Sequence, residues 1–415
     1  MSRRSRIERL LPANPLARAL ALRSALYALG SGSFFTGSAF YFTHIVGLTA
    51  AQVGLGLTLA GVASFATAVP LGGPADRFGP RRVWLVCSSL TAALFLAWPL
   101  ARGSGTFVAI MVLEAVIDAA GSAARGAYTL DAFPREDRVR SMAYQRSALN
   151  IGFTVGAGVG GVALGMPTDA GILAIPYLTA AILAGGTVLV SRLPEVGRRG
   201  AEVTAPVEQT PTPAALRNVG YLLTSIFNGV LTTNQVLLNV VIPLWLVQET
   251  DAPRVLLAWL FRTNTVLAVL LQVPASRGAD TVNGALRASQ ISGAFFVASC
   301  LIVLLTHNTI GWVTIILVWI GHVTVTGAEL FESAGQWGFQ SELSDPSRRG
   351  EYQGVSTAGF AIGTLWAPAA YTYLAMNLHA VGWLVIAGIV VVATIALRPS
   401  VRMAQAYLAR TVPTS

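Results

Sequence analysis

The chain has 415 residues, of which 54% are hydrophobic and 11% charged, and its formal net charge is +9. Soluble domains carry roughly 25% charged residues, so this composition excludes a soluble multidomain protein and predicts a polytopic membrane protein. All 28 basic residues are arginine, which excludes a P-loop nucleotide site and a Schiff-base cofactor, because both need a lysine.

Twelve apolar runs are long enough to cross a bilayer, which takes about 20 residues. They lie at 20–43, 49–71, 83–101, 106–130, 146–165, 171–191, 218–246, 254–274, 288–306, 311–340, 354–376 and 380–398. We number them span 1 to span 12. The pattern predicts an all-α membrane protein with six-helix bundles at 20–192 and 218–398, a polar, proline-rich linker at 193–217, and tails at 1–19 and 399–415.

The arginines set the predicted orientation. With the N-terminus inside, nearly all of them fall in inner loops and tails, whereas the outer loops hold little beyond Arg102 and Arg254. This asymmetry follows the positive-inside rule. It predicts a multi-pass protein of the cell inner (plasma) membrane with both termini and the linker cytoplasmic, and the basic N-terminus has no cleavage site typical of a signal peptide.

Span 1 carries aromatic and hydroxyl side chains along one face, namely Tyr27, Ser31, Phe34, Ser38 and Tyr41. The loop after span 2 reads GGPADRFGPRR and holds Gly72, Asp76, Arg77, Gly79, Arg81 and Arg82. Gly72 and Gly79 permit close backbone approach and unusual dihedral angles. The loop is therefore expected to be a tight cytoplasmic turn.

Span 4 places Glu114, Asp118 and Arg125 at spacings of four and seven residues, on one helical face. Two carboxylates one turn apart in a medium of low dielectric favour a proton on one of them. The pattern is typical of a proton carrier, and equally of a fixed salt bridge to Arg23, Arg125 or Arg262. In span 5, the run GFTVGAGVGG contains Gly152, Gly156, Gly160 and Gly161, which predict close approach to a neighbouring helix.

The second half repeats this arrangement of polar groups. Span 7 carries Asn228, Thr232, Gln235 and Asn239 on one face, span 8 carries Arg262, and span 10 aligns Trp319, His322 and Glu329. His322 titrates near neutral pH when solvated, so a proton relay with Glu329 and a structural histidine both remain open. Glu332, nearer the inner end, is expected to be solvated. The polar stripes suit either an uncharged or weakly charged ligand or interhelical contacts.

Matching residues relate the two halves of the chain. At an offset of 211, Asp118 aligns with Glu329, Asp131 with Glu342, and Arg138 with Arg349. Rare acidic residues in one register indicate a duplicated six-helix unit. Transporters built from two such repeats bind their substrate near the membrane midplane.

The sequence resembles the major facilitator superfamily over nearly the whole chain. The loop between spans 2 and 3 is similar to that family's signature, G-x-x-x-D-[RK]-x-G-x-[RK]-[RK], and the glycine run of span 5 resembles the one in drug:proton antiporters, although it lacks their proline. The resemblance implies that spans 1, 4 and 7 surround a central substrate cavity, and we take Arg262 of span 8 and Trp319 of span 10 as further candidates for it. The resemblance also implies a gate in which Asp76, near Asp131 and Arg138, latches the halves at the N-terminus of span 11, near Gly354.

We therefore expect a secondary transporter that works by alternating access, without enzymatic activity, a cofactor or a metal. Its most favoured function is proton-coupled efflux of a small, partly apolar organic compound, as a monomer in the lipid bilayer and without nucleic acid. Two alternatives stay open. One is an importer or facilitator of a metabolite without proton coupling, and the other is a transport-inactive receptor or scaffold.

Overall fold

A computed structural model describes residues 12–196 and 214–411. The expected tail at 1–11, most of the expected linker, 197–213, and the last residues, 412–415, lie outside the described residues. Every regular element in the described part is helical, which confirms the predicted all-α fold.

The first six spans are long helices joined by short connections. The first is capped by the Asn14 side chain, which accepts from the backbone N–H of Leu16, and the second by a reciprocal box between Thr49 and Gln52. The helices run Pro15–Phe40, Ala50–Ala68, Pro80–Phe95, Gly103–Ala132, Arg135–Leu164 and Ala170–Ser191. The first continues as a π-helical turn, Tyr41–Ile45.

The later spans are less regular. Span 7 is assembled from Val219–Thr232, Asn234–Val236, the π-helical turn Leu237–Val241 and Ile242–Glu249. The remaining helices run Leu256–Ala275, Val282–Leu305, Trp312–Glu342 and Arg349–Thr411. The last is broken at His379, where φ is 44° and ψ is −116°, so it provides both span 11 and span 12.

Ten helices of the described part are long and apolar enough to cross a membrane. The break at His379 makes two spans of one of them, and the 26-residue first helix completes the expected twelve. Span 5 starts at Arg135 and span 11 at Arg349, both earlier than hydropathy indicated. The first turns of both helices consist largely of polar residues, so a prediction based on runs of apolar residues does not include them. The expected tail after residue 398 continues as helix to Thr411.

The described residues form two compact units. The first contains spans 1 to 6 together with Pro346–Thr357, which includes the first turns of span 11. The second contains the described residues from span 7 to Asp345 and those from Ala358 onward. The start of span 11 therefore packs with the first unit.

An aromatic cluster closes one end of the first unit. Phe34 packs edge-on against Phe95, with ring centroids 5.1 Å apart, and Phe42 packs against Phe107 at 4.8 Å. Trp98 is fully buried among them. These residues come from the ends of spans 1 and 3 and the start of span 4, which are the ends predicted to face outward.

Candidate functional site

The loop GGPADRFGPRR is helical rather than an open turn. A 3-10 turn, Pro70–Gly72, leads into a short helix, Gly73–Phe78. Gly79 then reverses the chain with φ of 92°, a conformation that glycine adopts without steric cost, and span 3 begins at Pro80. The sequence predicted a tight turn. The structure has a short helix instead, and Gly79 alone reverses the chain direction.

Asp76 binds the N-terminus of span 11 within the first unit. Its Oδ1 accepts from the backbone N–H of Gly350 at 2.7 Å, and its Oδ2 from that of Glu351 at 2.9 Å. The first N–H groups of a helix have no partner inside the helix and carry its positive dipole end. A side chain at Gly72 would overlap the Gly350 carbonyl, so this contact needs glycine there. The helix N-terminus lies at Arg349, earlier than the expected position near Gly354.

A buried ion pair lies beside this contact. The Arg349 guanidinium pairs with the Asp131 carboxylate, and their side chains are 5% and 6% exposed. Arg138, which the sequence grouped with Asp131, donates from Nε to the Phe133 carbonyl at 3.2 Å and so caps the end of span 4.

The three arginines of the loop have separate contacts. Arg81 pairs with Glu195 at 3.1 Å and also donates to the Ser191 carbonyl, which fixes the end of span 6. Arg82 lies 3.8 Å from Glu195, and the Arg77 guanidinium lies over the Phe78 ring.

Spans 1 and 4 bring four polar groups together. The Tyr27 hydroxyl donates to Asp118 Oδ1 at 3.0 Å. Arg125 makes a long contact, 3.4 Å, with the Ser122 hydroxyl. Glu114 is half-buried one turn from Asp118. Asp118 and Arg125 line one cavity, and Tyr27 is the hydrogen-bond donor to Asp118.

The glycines of span 5 lie against span 1. A methyl group at Gly152, Gly156 or Gly160 would collide with the backbone of Ala25, Leu29 or Ser33, one turn apart along span 1. Gly161 has open space at its Cα. Three of the four predicted glycines therefore serve the close packing of two helices, and Gly161 does not.

The predicted stripe of span 1 divides into two environments. Tyr27 contacts Asp118, as described, and Ser31 and Ser38 are half-buried. Phe34 and Tyr41 are buried in the aromatic cluster, 9% and 2% exposed. The last two stabilise the end of the bundle and do not line an open space.

In the second unit, span 10 buries two carboxylates. Glu329 is 4% exposed, and its Oε2 accepts from Asn264 Nδ2 at 2.9 Å. Glu332 is also 4% exposed, and its Oε1 accepts from Asn228 Nδ2 and from the Thr232 hydroxyl, both at 2.8 Å. The expectation that Glu332 is solvated is wrong, because span 7 covers it.

His322 lies two turns from Glu329 on the same face. It is 1% exposed, and neither ring nitrogen has a hydrogen-bond partner among the described residues, although the Leu260 backbone on span 8 interacts with the ring. Thr326 lies between them and bonds both the His322 carbonyl and Asn264.

The other predicted polar residues of this unit have local roles. Gln235 and Asn239 bond within span 7, where the Asn239 amide donates to the Gln235 carbonyl at 2.8 Å. Arg262 is exposed, and its guanidinium lies 5.2 Å from the Trp259 ring centroid. Trp319 packs on the apolar cluster around Leu246 and Leu260.

The end of the second unit that is predicted to face outward holds two histidines and a carboxylate. His379 Nε2 and His307 Nδ1 lie 3.4 and 3.8 Å from Glu249 Oε2. Trp245 packs beside both rings and donates from Nε1 to Thr306. Within residues 12–196 and 214–411, no group of three histidine, cysteine or acidic side chains is arranged to hold a metal ion.

Sequence reasoning missed three residues. Arg23 was considered only as a partner for carboxylates, yet it lies one turn from Tyr27, and that spacing could have placed it on the same face. Asn264 was not selected, although it lies two residues from Arg262 in an apolar span. Glu332 was expected to be solvated and was not selected, because no sequence signal shows which face of span 10 is covered by span 7.

Comparisons with known proteins agree on one family. The model of the Major Facilitator Superfamily matches residues 20–328. A search of curated protein sequences gives no match. Similar solved structures include a bacterial homologue of the iron transporter ferroportin in its outward-facing state, with a TM-score of 0.73 and 12% identity over 93% of this chain and 99% of that one.

Two further solved structures have the same fold. The transporter FucP in its outward conformation has a TM-score of 0.71 and 14% identity, over 94% of this chain and 99% of that one. The proton:xylose symporter XylE has a TM-score of 0.68 and 13% identity, over 96% of this chain and 95% of that one. At these identities the likeness concerns the fold.

Proposed function

The chain belongs to the major facilitator superfamily, and on that premise we propose that it exports a small, partly apolar organic compound in exchange for protons. That it is a membrane transporter with an alternating-access fold follows from the family. The direction, the coupling to protons, a monomeric state and an inner-membrane location with cytoplasmic termini are parts of the proposal.

The observation that carries the proposal is the pair of buried carboxylates in span 10. Glu329 and Glu332 accept hydrogen bonds from the neutral donors Asn264, Asn228 and Thr232. Ionisable groups inside membrane spans are costly and mark ion or proton pathways. A buried carboxylate that accepts hydrogen bonds from side-chain amides and hydroxyls can take up or release a proton, which is what a coupling site requires.

The first unit supplies a second group of candidates. Asp118 accepts from Tyr27 and is otherwise open to the cavity beside it, and Glu114 lies one turn away. Together with His322 and Glu329, these residues form the proposed proton-coupling set. The polar side chains of span 7 and the exposed Arg262 are proposed to contact the substrate.

The contact of Asp76 with span 11 is the proposed gate. Two N–H groups fix the start of span 11 against the loop after span 2, and the buried ion pair fixes it against the end of span 4. We propose that these contacts break and re-form once in each transport cycle, with Gly72 allowing the close approach.

The energetics of exchange are sufficient without ATP. Each proton that enters down a 100 mV potential supplies about 2.3 kcal/mol, and a tenfold proton gradient adds about 1.4 kcal/mol. One proton per substrate would therefore sustain a concentration ratio on the order of several hundred, at about 1.4 kcal/mol for each factor of ten.

The first test identifies a substrate. Cells with and without the protein are compared across a diverse compound panel for growth inhibition and for intracellular accumulation. We expect at least one small, partly apolar compound to accumulate less in cells that hold the protein. Greater accumulation of the responsive compounds would instead show uptake and contradict the proposed direction.

The second test addresses coupling, in vesicles with an imposed pH gradient and the compound found above. We expect flux to follow the gradient and Glu329→Gln to abolish that response. Glu136→Gln is the matched control, since Glu136 is exposed in the first turn of span 5. Flux that is equal with and without the gradient would contradict proton coupling.

A further inference from the structure

A narrow cavity lies inside the first unit, between spans 1, 3 and 4. Its walls include Arg23, Tyr27, Trp84, Ser88, Asp118 and Arg125. Its volume, counted out to open solvent, is about 370 Å³. Much of that volume is open solvent, so the cavity encloses only a small part of any ligand.

Arg23 is buried at this cavity without an anionic partner. Its side chain is 7% exposed, and Nη2 donates to the Ser88 hydroxyl at 3.2 Å. Nε and Nη1 have no hydrogen-bond partner, and no carboxylate of the described residues lies within ion-pair distance of this guanidinium. The rings of Tyr27 and Trp84 lie about 5 Å from its Cζ, at 5.0 and 4.9 Å. A buried charge is normally paired, since its desolvation is costly.

Arg125 adds a second cation. It is close enough to Arg23 for the two to repel each other, and its closest polar contact is the Ser122 hydroxyl at 3.4 Å. Asp118 is the carboxylate at the cavity wall, and it accepts from Tyr27 instead of pairing with either arginine. The cavity walls therefore carry two guanidinium groups and one carboxylate, an excess of one positive group.

We propose that this cavity binds the carboxylate of an organic monoanion between Arg23 and Arg125, with the apolar body of the ligand beside Tyr27. The planar guanidinium fork matches a carboxylate and donates to both of its oxygens. One net positive charge fits a monoanion better than a dianion such as phosphate, which would leave excess negative charge in a medium of low dielectric. This inference rests on the proposed function in one respect, because it takes the bound carboxylate to be the compound that is transported.

An anionic ligand also agrees with export. The membrane potential is negative inside, so it drives an organic monoanion outward without any further coupling. The site therefore specifies the substrate class that the proposed function left open, a small organic carboxylate with an apolar or aromatic body.

The test is equilibrium binding to the full chain in nanodiscs of phosphatidylcholine, without a gradient. Benzoate and hexanoate are compared with their neutral analogues, benzamide and hexanamide. We expect saturable binding of the carboxylates and at least tenfold weaker binding of the amides. A hydrogen bond to a charged group contributes about 1.5–3 kcal/mol, so Arg23→Gln and Arg125→Gln should each weaken benzoate binding by at least about tenfold.

The control variant is Arg192→Gln, at the exposed end of span 6, which should bind benzoate as the unmodified protein does. Asp118→Asn should bind benzoate more tightly, because it removes the competing negative charge. Equal binding of benzoate and benzamide would overturn the proposal. Binding of phosphate, or of phosphatidylglycerol added to the nanodiscs, without binding of the carboxylates would also overturn the proposal. The bound anion would then be inorganic or a lipid headgroup.

The comparison of ligand pairs uses the unmodified protein, so it stands even if Arg23→Gln does not fold. Failure here is distinct from failure of the proposed function. If carboxylates bind but flux does not respond to the pH gradient, only the proposed proton coupling is contradicted. Gradient-driven flux of a neutral compound, without carboxylate binding, contradicts the anion site alone.

Discussion

The Asp76 carboxylate accepts a hydrogen bond of 2.7 Å from the backbone N–H of Gly350, at the first turn of span 11. The two residues are far apart in the sequence, and the contact joins the loop after span 2 to the start of the eleventh span. A negative charge at a helix N-terminus contributes about 0.3–1 kcal/mol when exposed and up to about 2 kcal/mol when partly buried. The contact is strong enough to bias a conformational equilibrium and weak enough to break in each cycle.

Asp76→Asn removes this charge while keeping the size of the side chain. We expect the transport rate to fall about tenfold while ligand affinity stays within about twofold, because a bias of about 1.4 kcal/mol changes an equilibrium tenfold. Transport in vesicles and binding in nanodiscs measure the two quantities. Asp169→Asn is the control, since the Asp169 side chain caps nothing. A parallel loss of binding and transport would show that Asp76 supports the fold and does not act as a gate.

The buried pair of Asp131 and Arg349 should show strong coupling. Either Asp131→Asn or Arg349→Gln leaves a buried charge poorly compensated, which costs about 3–5 kcal/mol. The double variant removes both charges and should recover a large part of that loss. Thermal unfolding in detergent of the unmodified protein, the two single variants and the double variant measures these losses. Additive losses in the double variant would mean that the two side chains do not stabilise each other.

The packing of span 5 on span 1 can be tested with two glycines of one helix. Gly156→Ala places a methyl group against the Leu29 carbonyl, and overpacking of this kind costs about 1–3 kcal/mol or more. Gly158→Ala meets open space and should be neutral or stabilising by up to about 1 kcal/mol, through helix propensity. Equal unfolding temperatures for the two variants would contradict the close packing.

His379 is the only non-glycine residue with positive φ in the described part of the chain. Its conformation costs on the order of 1–3 kcal/mol, whereas its half-exposed contact with Glu249 contributes about 0–1 kcal/mol. His379→Gly is therefore expected to stabilise the protein by about 1 kcal/mol. His307→Ala loses a similar contact without relieving strain and should not stabilise it. Thermal unfolding of the two variants would decide, and a destabilised His379→Gly would mean that the contacts of the His379 ring outweigh the strain.

The assay of Asp118→Asn also bears on the coupled proton. Tighter benzoate binding in this variant would mean that a proton on Asp118 and an anion on the arginines favour each other. Exchange would then have to use Glu329, and only Glu329→Gln, not Asp118→Asn, would abolish the response to a pH gradient. Loss of that response in Asp118→Asn with unchanged benzoate affinity would assign the exchanged proton to Asp118.

The span number, the family and the glycine packing were predictable because each rests on a local pattern. Hydropathy marks the spans, the loop signature has fixed spacing, and glycines four residues apart share a helix face. The contacts of Glu332 and Arg23 were not predictable, because they depend on which faces of spans 7 and 3 cover them. Periodicity shows that residues share a face but not what covers that face.

The two cysteines of the chain have unequal surroundings. Cys87 lies in the wall of the Arg23 cavity, 9% exposed, while Cys300 is fully buried in the second unit. The protein thus carries a natural chemical reporter at one position. A small thiol-reactive label should modify Cys87 slowly and Cys300 more slowly still in the folded protein. A ligand seated beside Arg23 should slow the reaction of Cys87 further, so occupancy can be followed without introducing a new residue.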